Sequence, residues 1–579
     1  MDNGHYADLL EEAAALLQIL DENPFRIRAY ERAARVVRGL APPVEDLLDR
    51  GEITDISGIG KGIANELQEF AIRRSSASLD TLRASLPENI GQLLQVHGLG
   101  PKRVRLMWTE LGISDLRSLE DAANSGQLAT LPGMGAKTVQ NILKELDRLK
   151  RSAGRHPFHR ARRAADELLA ALQALPQVER MECAGSLRRG RDTVKDVDLV
   201  VASRAPAEVM QAFVTLPAVV DIIAHGETKS SVILENNLPC DLRVVPPEVF
   251  GATLHHFTGS KDHNIAMRAR AVKKGLRISE YGVFQREGDD EKPIACATES
   301  DVFEALGLPW IPPEIREGER EIAHAESRTL PRLVELGDLR GDLHMHSTWS
   351  DGRHTIEAMA LAAKALGLDY ICITDHSQSL TVANGLDRKR LLKQLDEIAE
   401  VNAKNLGIRV FSGLEVDILE HGEIDMDDET LGRLDWVVGS VHQWMKQPRE
   451  VMTQRVERAI RSGLIDAVGH PTGRLIGYRD GFDMDLDVIF EACAQSNVAL
   501  EINASDRRLD LDSGNVQRAL ERPELRFVIN TDAHSTRGLE TMTYGVMNAR
   551  RGWLTAERVI NHLSVEDFVA RTRPRETTR

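Results

Sequence analysis

Hydrophobic positions in the first 150 residues recur every three or four residues, which is the spacing of one face of an α-helix. The segments LLEEAAALLQIL, RAYERAARVVRGL and GIANELQEFAIRR all show this spacing, and glycine or proline separates them. From about residue 181 the pattern changes to short β-rich runs such as DVDLVVA and CDLRVV, with helical stretches between them. The pattern predicts an all-α region followed by one that mixes helices and strands.

The last part of the chain has a third pattern. From about residue 339, strand-like runs such as YICITD, ALEIN and FVINTDAH alternate with amphipathic helical segments. This alternation is typical of a β/α barrel. The preceding residues 312–338 are rich in proline and acidic residues and have little apolar periodicity, which predicts a linker. We therefore expect a multidomain protein that combines an α region with α/β regions.

Composition adds limits to this picture. A chain of 579 residues is too long for one hydrophobic core, and 42% hydrophobic with 28% charged residues is ordinary for a globular protein. No apolar run reaches the roughly 18 to 20 residues of a membrane span, so we expect no membrane partner and a cytoplasmic location. The cysteines show no CxxC spacing, which predicts buried reduced thiols rather than disulfides or a thiolate zinc site: Cys183, Cys240, Cys296, Cys372 and Cys493.

The net charge of −16 conceals a basic region. Residues 101–163 contain 13 basic and 6 acidic residues, a local excess that suits a phosphate backbone. Basic runs are also common on solvated surfaces, so the excess alone is weak support for nucleic-acid binding.

A repeated Gly-x-Gly turn followed by lysine lies in the helical region, as ISGIGKG at 56–62, VHGLGPK at 96–102 and LPGMGAK at 131–137. Such a turn exposes backbone N–H groups at the start of the next helix, where a phosphate can bind. One copy could simply separate two helices, but three copies resemble helix-hairpin-helix motifs, which hold DNA without reading its sequence. The candidate DNA-binding residues are Gly58, Gly60, Lys61, Gly98, Gly100, Lys102, Gly133, Gly135 and Lys137.

A candidate centre for nucleotidyl transfer lies in GSLRRGRDTVKDVDLVV at 185–201. Asp196 and Asp198 are two residues apart on a β-rich run, so their carboxylates face the same side, and Asp241 can add a third from a neighbouring strand. Three carboxylates of this kind can hold two Mg²⁺ ions for attack of a 3′-hydroxyl on an α-phosphate. The Gly185-Ser186 turn and the guanidinium groups of Arg188 and Arg189 could bind the triphosphate.

A second candidate centre consists of nine histidine, aspartate and glutamate residues that follow successive strand-like runs. In a β/α barrel these positions converge at one end, where active sites form. Mixed imidazole and carboxylate ligands suit Mn²⁺ or Zn²⁺ better than Mg²⁺. The candidate metal ligands are His344, His346, Asp351, His376, Glu415, His442, His470, Asp532 and His534.

These motifs resemble two families. Residues from about 5 to 310 resemble the nucleotidyltransferase superfamily, more narrowly the family X polymerases related to DNA polymerase beta, and residues 339–575 resemble the PHP phosphoesterases. The resemblance implies an N-terminal 8-kDa-like domain (1–85), fingers (86–152), palm (153–245), thumb (246–311), linker (312–338) and PHP barrel (339–575). It also implies that Gly185, Ser186 and Arg189 bind the triphosphate, that Gly259 and Asn264 contact the nucleotide, and that Arg268 approaches the template.

The chain departs from the polymerase pattern at two positions. Where many relatives have Tyr-Phe before Thr-Gly-Ser, this sequence has His256-Phe257, which affects the region that discriminates between sugars. Glu66 stands where lyase-active relatives have a Schiff-base lysine, and a carboxylate cannot form that imine.

The resemblance implies a bacterial repair polymerase that fills short gaps, with gapped or nicked duplex DNA and deoxynucleoside triphosphates as partners, at the nucleoid. The PHP domain would act as a Mn²⁺-dependent 3′→5′ exonuclease on DNA ends. Two alternatives stay open: the PHP domain could be a small-molecule phosphatase, or the chain could be a non-catalytic scaffold for DNA ends. The intact acidic residues and the full ligand set argue against the scaffold.

Overall fold

The computed structural model describes residues 3–40, 44–73, 75–96, 98–152, 154–287, 290–294, 296–318 and 320–571. The chain forms two compact units, residues 1–153 and 154–579. None of the helices described is both long enough and apolar enough to span a bilayer. The five cysteines are buried and unpaired, which confirms that prediction.

The first unit is helical throughout its described residues, as the sequence predicts. Its helices bury their apolar faces in one core that includes Leu10, Phe70 and Met107. Local signals set their ends: α6 starts with Pro101 and stops at Gly112, whose φ of +68° is the left-handed conformation that glycine favours. The helices are α1 (Asn3–Leu20), α2 (Pro24–Gly39), α3 (Val44–Asp49), α4 (Lys61–Arg73), α5 (Ala77–Ala84), α6 (Pro101–Leu111), α7 (Leu116–Asn124) and α8 (Ala136–Ser152).

The second unit begins with the palm, a five-stranded sheet with helices packed against it. Its strand order is β2-β4-β7-β6-β5, in which β4 and β7 are parallel and the other neighbours are antiparallel. Burial alternates along β7, so every second side chain, including that of Asp241, is left partly exposed. The elements are β1 (His156–Pro157), α9 (Phe158–Gln173), β2 (Arg180–Cys183), α10 (Gly185–Arg188), β3 (Thr193–Val194), β4 (Val197–Ala202), α11 (Pro206–Val214), β5 (Val219–His225), β6 (Lys229–Leu234) and β7 (Leu238–Val245).

The thumb follows, and its core extends into the segment predicted to be a linker. Ile315 and Ile322 are buried in one cluster with thumb residues and with Trp553 near the C-terminus. Arg316 is fully buried and pairs with Glu299. The described residues from 313 to 325 are therefore packed against the thumb rather than extended. The thumb elements and the next helix are α12 (Phe250–Thr258), α13 (Lys261–Lys273), β8 (Leu276–Ser279), β9 (Gly282–Glu287), β10 (Asp290–Ile294), α14 (Glu299–Ala305) and α15 (Arg320–Glu326).

The C-terminal part is a nearly closed barrel of seven parallel strands in sequential order, which confirms the predicted β/α barrel. A parallel bridge between Met345 and Ala533 joins the segment after the first barrel strand to the segment after the last one. The elements are β11 (Gly341–Asp342), α16 (Ile356–Ala365), β12 (Tyr370–Ile373), α17 (Arg388–Ala403), β13 (Arg409–Asp417), α18 (Asp428–Leu431), β14 (Trp436–Ser440), α19 (Arg449–Arg461), β15 (Ala467–Val468), α20 (Leu486–Ser496), β16 (Ala499–Asn503), α21 (Ser513–Ala519), β17 (Phe527–Asn530), α22 (Met542–Arg551) and α23 (Val565–Arg571).

Candidate active sites

The palm brings three carboxylates to one place. Asp198 on β4 lies directly opposite Asp241 on the parallel strand β7, and Asp196 immediately precedes β4. Burial, reinforced by the charges of Asp196 and Asp241, raises the pKa of Asp198 to about 7. Lys229 Nζ lies 2.7 Å from Asp241 Oδ2 and compensates part of this charge. A concentration of negative charge that raises a carboxyl pKa is the environment that a divalent cation relieves.

The turn 185–192, which we call the triphosphate turn, is held against these carboxylates. Gly185 has a φ of +64°, and a Cβ at this position would lie 2.3 Å from Asp198 Oδ2. Only glycine allows this approach, so the turn and the carboxylates form one site. Ser186 lies in α10, directly after this glycine.

The two arginines of the triphosphate turn have different roles. Arg188 forms a bidentate pair with the buried Glu299, with distances of 2.8 and 2.9 Å. Arg189 donates through Nη1 to the carbonyl of Thr258 at 2.7 Å, and its Nε lies 3.2 Å from Glu317 Oε1.

The predicted nucleotide-contacting residues lie around the turn between α12 and α13. Asn264 donates to the carbonyl of His256 at 2.8 Å, and a Cβ at Gly259 would lie 2.8 Å from Asn264 Oδ1. His256, Asn264 and Arg268 line one small pocket, and the Arg268 side chain is exposed. Burial lowers the pKa of His256, so a neutral imidazole occupies this wall at neutral pH.

The three predicted hairpins share one backbone geometry. The first glycine of each has a positive φ, between +75° and +104°, and the second precedes the next helix and accepts its first hydrogen bonds. Apart from the adjacent residues of the chain, no atom of the described residues lies within 4 Å of a Cβ added at five of the six glycines, so the turns are open to a backbone ligand. The residues are Gly58, Gly60, Lys61, Gly98, Gly100, Lys102, Gly133, Gly135 and Lys137, and all three lysines are exposed.

Glu66 has a structural role on α4. It accepts a hydrogen bond from Tyr30 Oη and another from Ser76 Oγ at 3.1 Å. A carboxylate held in this way by two hydroxyl groups ties α4 to α2 and to the start of α5.

The barrel brings together all nine predicted metal ligands near the carboxyl ends of its strands. Within each of three groups, the ligand atoms lie within 4.8 Å of one another. His470 is outside these groups, but its Nε2 lies 3.1 Å from Glu415 Oε1. The groups are His346, Asp351, His376 and His534; His344, His346 and Asp532; and His376, Glu415 and His442.

Glu415 is at the centre of this cluster and is 1% exposed. Burial alone would raise its pKa, but the charges of His344, His442 and His376 hold it well below the usual range. His376 Nδ1 and Glu415 Oε2 lie 2.8 Å apart. Both atoms are buried, and neither forms a hydrogen bond of acceptable geometry with any of the described residues. His344 Nε2 is buried and unsatisfied in the same way. Buried lone pairs that converge without partners fit divalent metal ions.

Three further residues complete the centre, and the sequence analysis missed them. Asp417 Oδ1 lies 2.5 Å from His442 Nδ1, and Glu501 Oε1 lies 2.7 Å from His344 Nδ1, so both carboxylates orient a histidine with Nε2 towards the cluster. Arg508 Nε lies 3.7 Å from Asp532 Oδ2, and its Nη1 is buried with no hydrogen-bond partner in the described part of the chain. Only Asp417 had a sequence signal, because it follows Glu415 by two residues on one strand.

Comparison with known families gives four matches along the chain. They are a helix-hairpin-helix domain at residues 1–76, a SAM-like helix-hairpin-helix tandem at 90–148, the DNA polymerase beta thumb at 253–317, and the PHP domain at 342–505. These matches agree with the helical, thumb and barrel regions of the structure.

Similar proteins cover the chain to different extents. The DNA polymerase/3′-5′ exonuclease PolX of Bacillus subtilis (strain 168) is 41% identical over 564 residues, which is 97% of this chain and 98% of that protein. A protein of Photobacterium profundum named "Probable phosphatase" is 32% identical over 28% of this chain and 63% of its own length. One of Vibrio atlanticus with the same description is 31% identical over 32% of this chain and 71% of its own length.

Proposed function

Since the chain belongs to the family X DNA polymerases that carry a C-terminal PHP domain, we propose that it fills short DNA gaps in base-excision-type repair and processes 3′ ends with a second active site. The observation that carries the proposal is the presence of two separate clusters of metal-type ligands in one unit. One cluster is the carboxylate trio of the palm, and the other is the histidine-rich centre of the barrel.

In the polymerase site, Asp196, Asp198 and Asp241 would hold two Mg²⁺ ions, which would supply Lewis-acid activation of the 3′-hydroxyl and charge stabilisation of the leaving pyrophosphate. Gly185, Ser186 and Arg189 bind the triphosphate of the incoming nucleotide. Arg189 is suited to this because its planar guanidinium group lies on the same turn that contacts Asp198. Across the site, Gly259 and Asn264 contact the nucleotide and Arg268 approaches the template.

In the barrel, the nine clustered ligands would hold up to three Mn²⁺ or Zn²⁺ ions. Such ions lower the pKa of water for attack on a phosphodiester and neutralise charge on the phosphate. Asp417 and Glu501 keep two of the imidazoles in the orientation that ligation requires. Arg508 places a positive group beside Asp532, where the phosphate of a DNA 3′ end can meet it.

The hairpins of the first unit determine the DNA substrate in this proposal. Their exposed lysines and open glycine turns bind the sugar-phosphate backbone of a gapped or nicked duplex without sequence preference. We do not propose a 5′-deoxyribose-phosphate lyase that uses α4, because Glu66 is a carboxylate engaged by Tyr30 and Ser76. With a DNA substrate of this kind, the protein would act at the nucleoid in the bacterial cytoplasm.

A second candidate function for the barrel is hydrolysis of small phosphate monoesters, because two of the similar proteins are named "Probable phosphatase". The two functions differ in substrate. An exonuclease shortens a 3′-labelled duplex and leaves a simple monoester such as p-nitrophenyl phosphate largely intact, whereas a phosphatase shows the opposite preference.

The test uses two double variants of the full chain on a labelled gapped duplex, with and without dNTPs, in Mg²⁺ and then in Mn²⁺. Asp196→Ala with Asp198→Ala should abolish gap filling and leave 3′ degradation intact. His344→Ala with His346→Ala should abolish degradation and leave gap filling intact. Gap filling by the first variant at the wild-type rate would refute the polymerase assignment, and DNA degradation by the second without bound metal would refute the barrel assignment.

A further inference from the structure

One helix of the barrel, α22, packs against the triphosphate turn of the palm. Gly190 in this turn has a φ of +67°, and a Cβ there would lie 2.3 Å from Met547 Sδ on α22. At the end of the same helix, Arg551 Nη1 donates to the carbonyl of Arg189 at 2.8 Å. The barrel therefore forms part of the wall behind the proposed triphosphate site.

A carboxylate between palm and barrel connects the same residues a second time. Glu317 Oε1 accepts from Arg189 Nε and from Arg551 Nη1, both at 3.2 Å, and its Oε2 accepts from Arg191 Nη2 at 2.7 Å. Burial would raise the pKa of Glu317, but the three arginines outweigh it and lower the pKa. Glu317 is therefore a charged group whose partners are two palm residues and one barrel residue.

This arrangement places Glu317 in competition with the nucleotide for Arg189. A triphosphate needs the guanidinium group of Arg189, while the Glu317 carboxylate attracts that group away and repels the ligand. Arg551 opposes both effects. Its positive charge neutralises part of the negative charge of Glu317, and its hydrogen bond to the Arg189 carbonyl fixes the position of the turn. Arg551 is 8% exposed, so water screens this interaction only weakly.

We propose that Arg551 of the PHP barrel is a positioning residue of the polymerase site. It fixes the triphosphate turn through the Arg189 carbonyl and balances Glu317, so that Arg189 is available to an incoming nucleotide. The inference rests on the proposed role of Arg189 in triphosphate binding. In this arrangement the PHP domain contributes to nucleotide affinity without contacting the nucleotide.

The test compares Arg551→Gln with the wild type in steady-state filling of a one-nucleotide gap. Loss of a buried charged hydrogen bond should raise KM for dNTP about tenfold, while kcat changes less than about twofold. Arg551→Lys keeps the charge with fewer donors and should give an intermediate KM. Exonuclease activity and thermal unfolding of each variant show whether the fold is intact, since a merely structural role would change these and kcat.

Arg550→Gln is the matched control, because Arg550 precedes Arg551 on α22 and also pairs across the interface. It contacts Glu314 at 2.6 Å and the carbonyl of Val334 at 3.1 Å, away from the triphosphate turn. Its KM for dNTP should equal the wild-type value. A wild-type KM for Arg551→Gln, or an equal rise in both variants, would overturn the inference.

Three further variants test whether Arg551 acts through Glu317 and whether Arg189 binds the triphosphate. If Arg551 acts partly through Glu317, replacing Arg551 by Gln in a Glu317→Gln background should raise KM less than it does in the wild type. An equal rise in both backgrounds would contradict the part assigned to Glu317. Arg189→Ala separates the two claims: an unchanged KM would refute the role of Arg189 and this inference together. A raised KM for Arg189→Ala with a normal KM for Arg551→Gln would refute only the inference.

Discussion

The carboxyl group of Asp198 is buried beside two other carboxylates, which together with burial raise its pKa from an ordinary 3.8 to about 7. Between these two pH values the folded protein holds a proton that the unfolded chain releases, so folding stability decreases as the pH rises from about 4 to 7. The ionised Asp198 carboxylate therefore lowers the stability of the fold at neutral pH.

We expect Asp198→Asn to stabilise the protein at pH 8 in EDTA, by roughly 1 to 4 kcal/mol, because it removes an uncompensated charge. At pH 4.5 the two proteins should unfold at nearly the same temperature. Differential scanning calorimetry at both pH values measures the difference. Asp262→Asn, at an exposed position of α13, serves as the control. A variant that is less stable than the wild type at pH 8 would contradict the raised pKa.

Asp417 gives a second test at the scale of single residues. Its carboxylate lies 2.5 Å from His442 Nδ1 and directs Nε2 towards Glu415. We expect Asp417→Asn to reduce exonuclease activity about 10- to 100-fold, with less bound metal, because the imidazole loses its orienting acceptor. Polymerase activity should not change. The measurement is 3′-label release in Mn²⁺ alongside metal analysis by mass spectrometry.

Asp427→Asn is the control for Asp417→Asn, because Asp427 caps α18 and makes no contact with the metal ligands in the described structure. Full exonuclease activity in Asp417→Asn would show that His442 needs no orienting carboxylate.

The sequence was sufficient to predict residues whose role depends on local spacing, and it failed where partners are distant. Asp196 and Asp198 are two residues apart at the start of one β-rich run. The nine barrel ligands follow strand-like runs, and the barrel fold brings strand ends together. Glu501 pairs with His344 across 157 residues, and Arg188 pairs with Glu299 across 111 residues. No pattern along the chain encodes either pair, so neither the orienting role of Glu501 nor the structural role of Arg188 was predicted.

The three hairpins are the elements that local sequence determines most completely. Each is a turn with a positive-φ glycine, a second glycine at the helix start and a nearby lysine, and the structure has this geometry in all three. The helical boundaries of the first unit follow from similar local signals, such as the capping box of Asp115 and Ser118.

We expect replacement of Lys61, Lys102 and Lys137 by Gln to weaken DNA binding equally for different sequences, because the hairpins contact phosphates. Each lost phosphate contact should reduce the slope of log K against log salt concentration by about 0.9. The slope of the triple variant should therefore be smaller than that of the wild type by up to about 2.7. Fluorescence anisotropy with gapped duplexes at several salt concentrations measures this slope. An unchanged slope would exclude these lysines from the DNA interface.

The segment 312–338 combines a linker-like composition with ion pairs to distant residues. Its proline and acidic residues are typical of an exposed linker, but several of its charged residues form ion pairs. Arg316 is buried against Glu299, and Glu314 pairs with Arg550 of the barrel. Since these partners are distant in sequence, composition alone could not distinguish a paired, packed segment from a solvated one.

At the scale of the whole molecule, the palm, thumb and barrel form one unit although they belong to two enzyme families. Met547 and Tyr544 of the barrel pack on the palm core, and Trp553 is buried in the thumb core. Arg474, which donates to the carbonyl of Arg508 beside the metal ligands, also pairs with Asp192 of the triphosphate turn at 2.8 Å. The two active sites therefore share structural support.

This shared packing predicts opposite results for two truncations. A chain of residues 154–579 keeps its cores intact and should unfold cooperatively at nearly the temperature of the full chain's second unit. A chain of residues 1–338 loses Met547, Tyr544 and Trp553, and each large apolar side chain removed from a core costs roughly 1.5 to 3 kcal/mol. It should melt at a lower temperature and fill gaps poorly even at saturating dNTP.

Circular dichroism melts and gap-filling assays of both chains measure the difference. If residues 1–338 melt and polymerise like the full chain, the barrel is an independent attachment and its contacts with the palm do not support the polymerase.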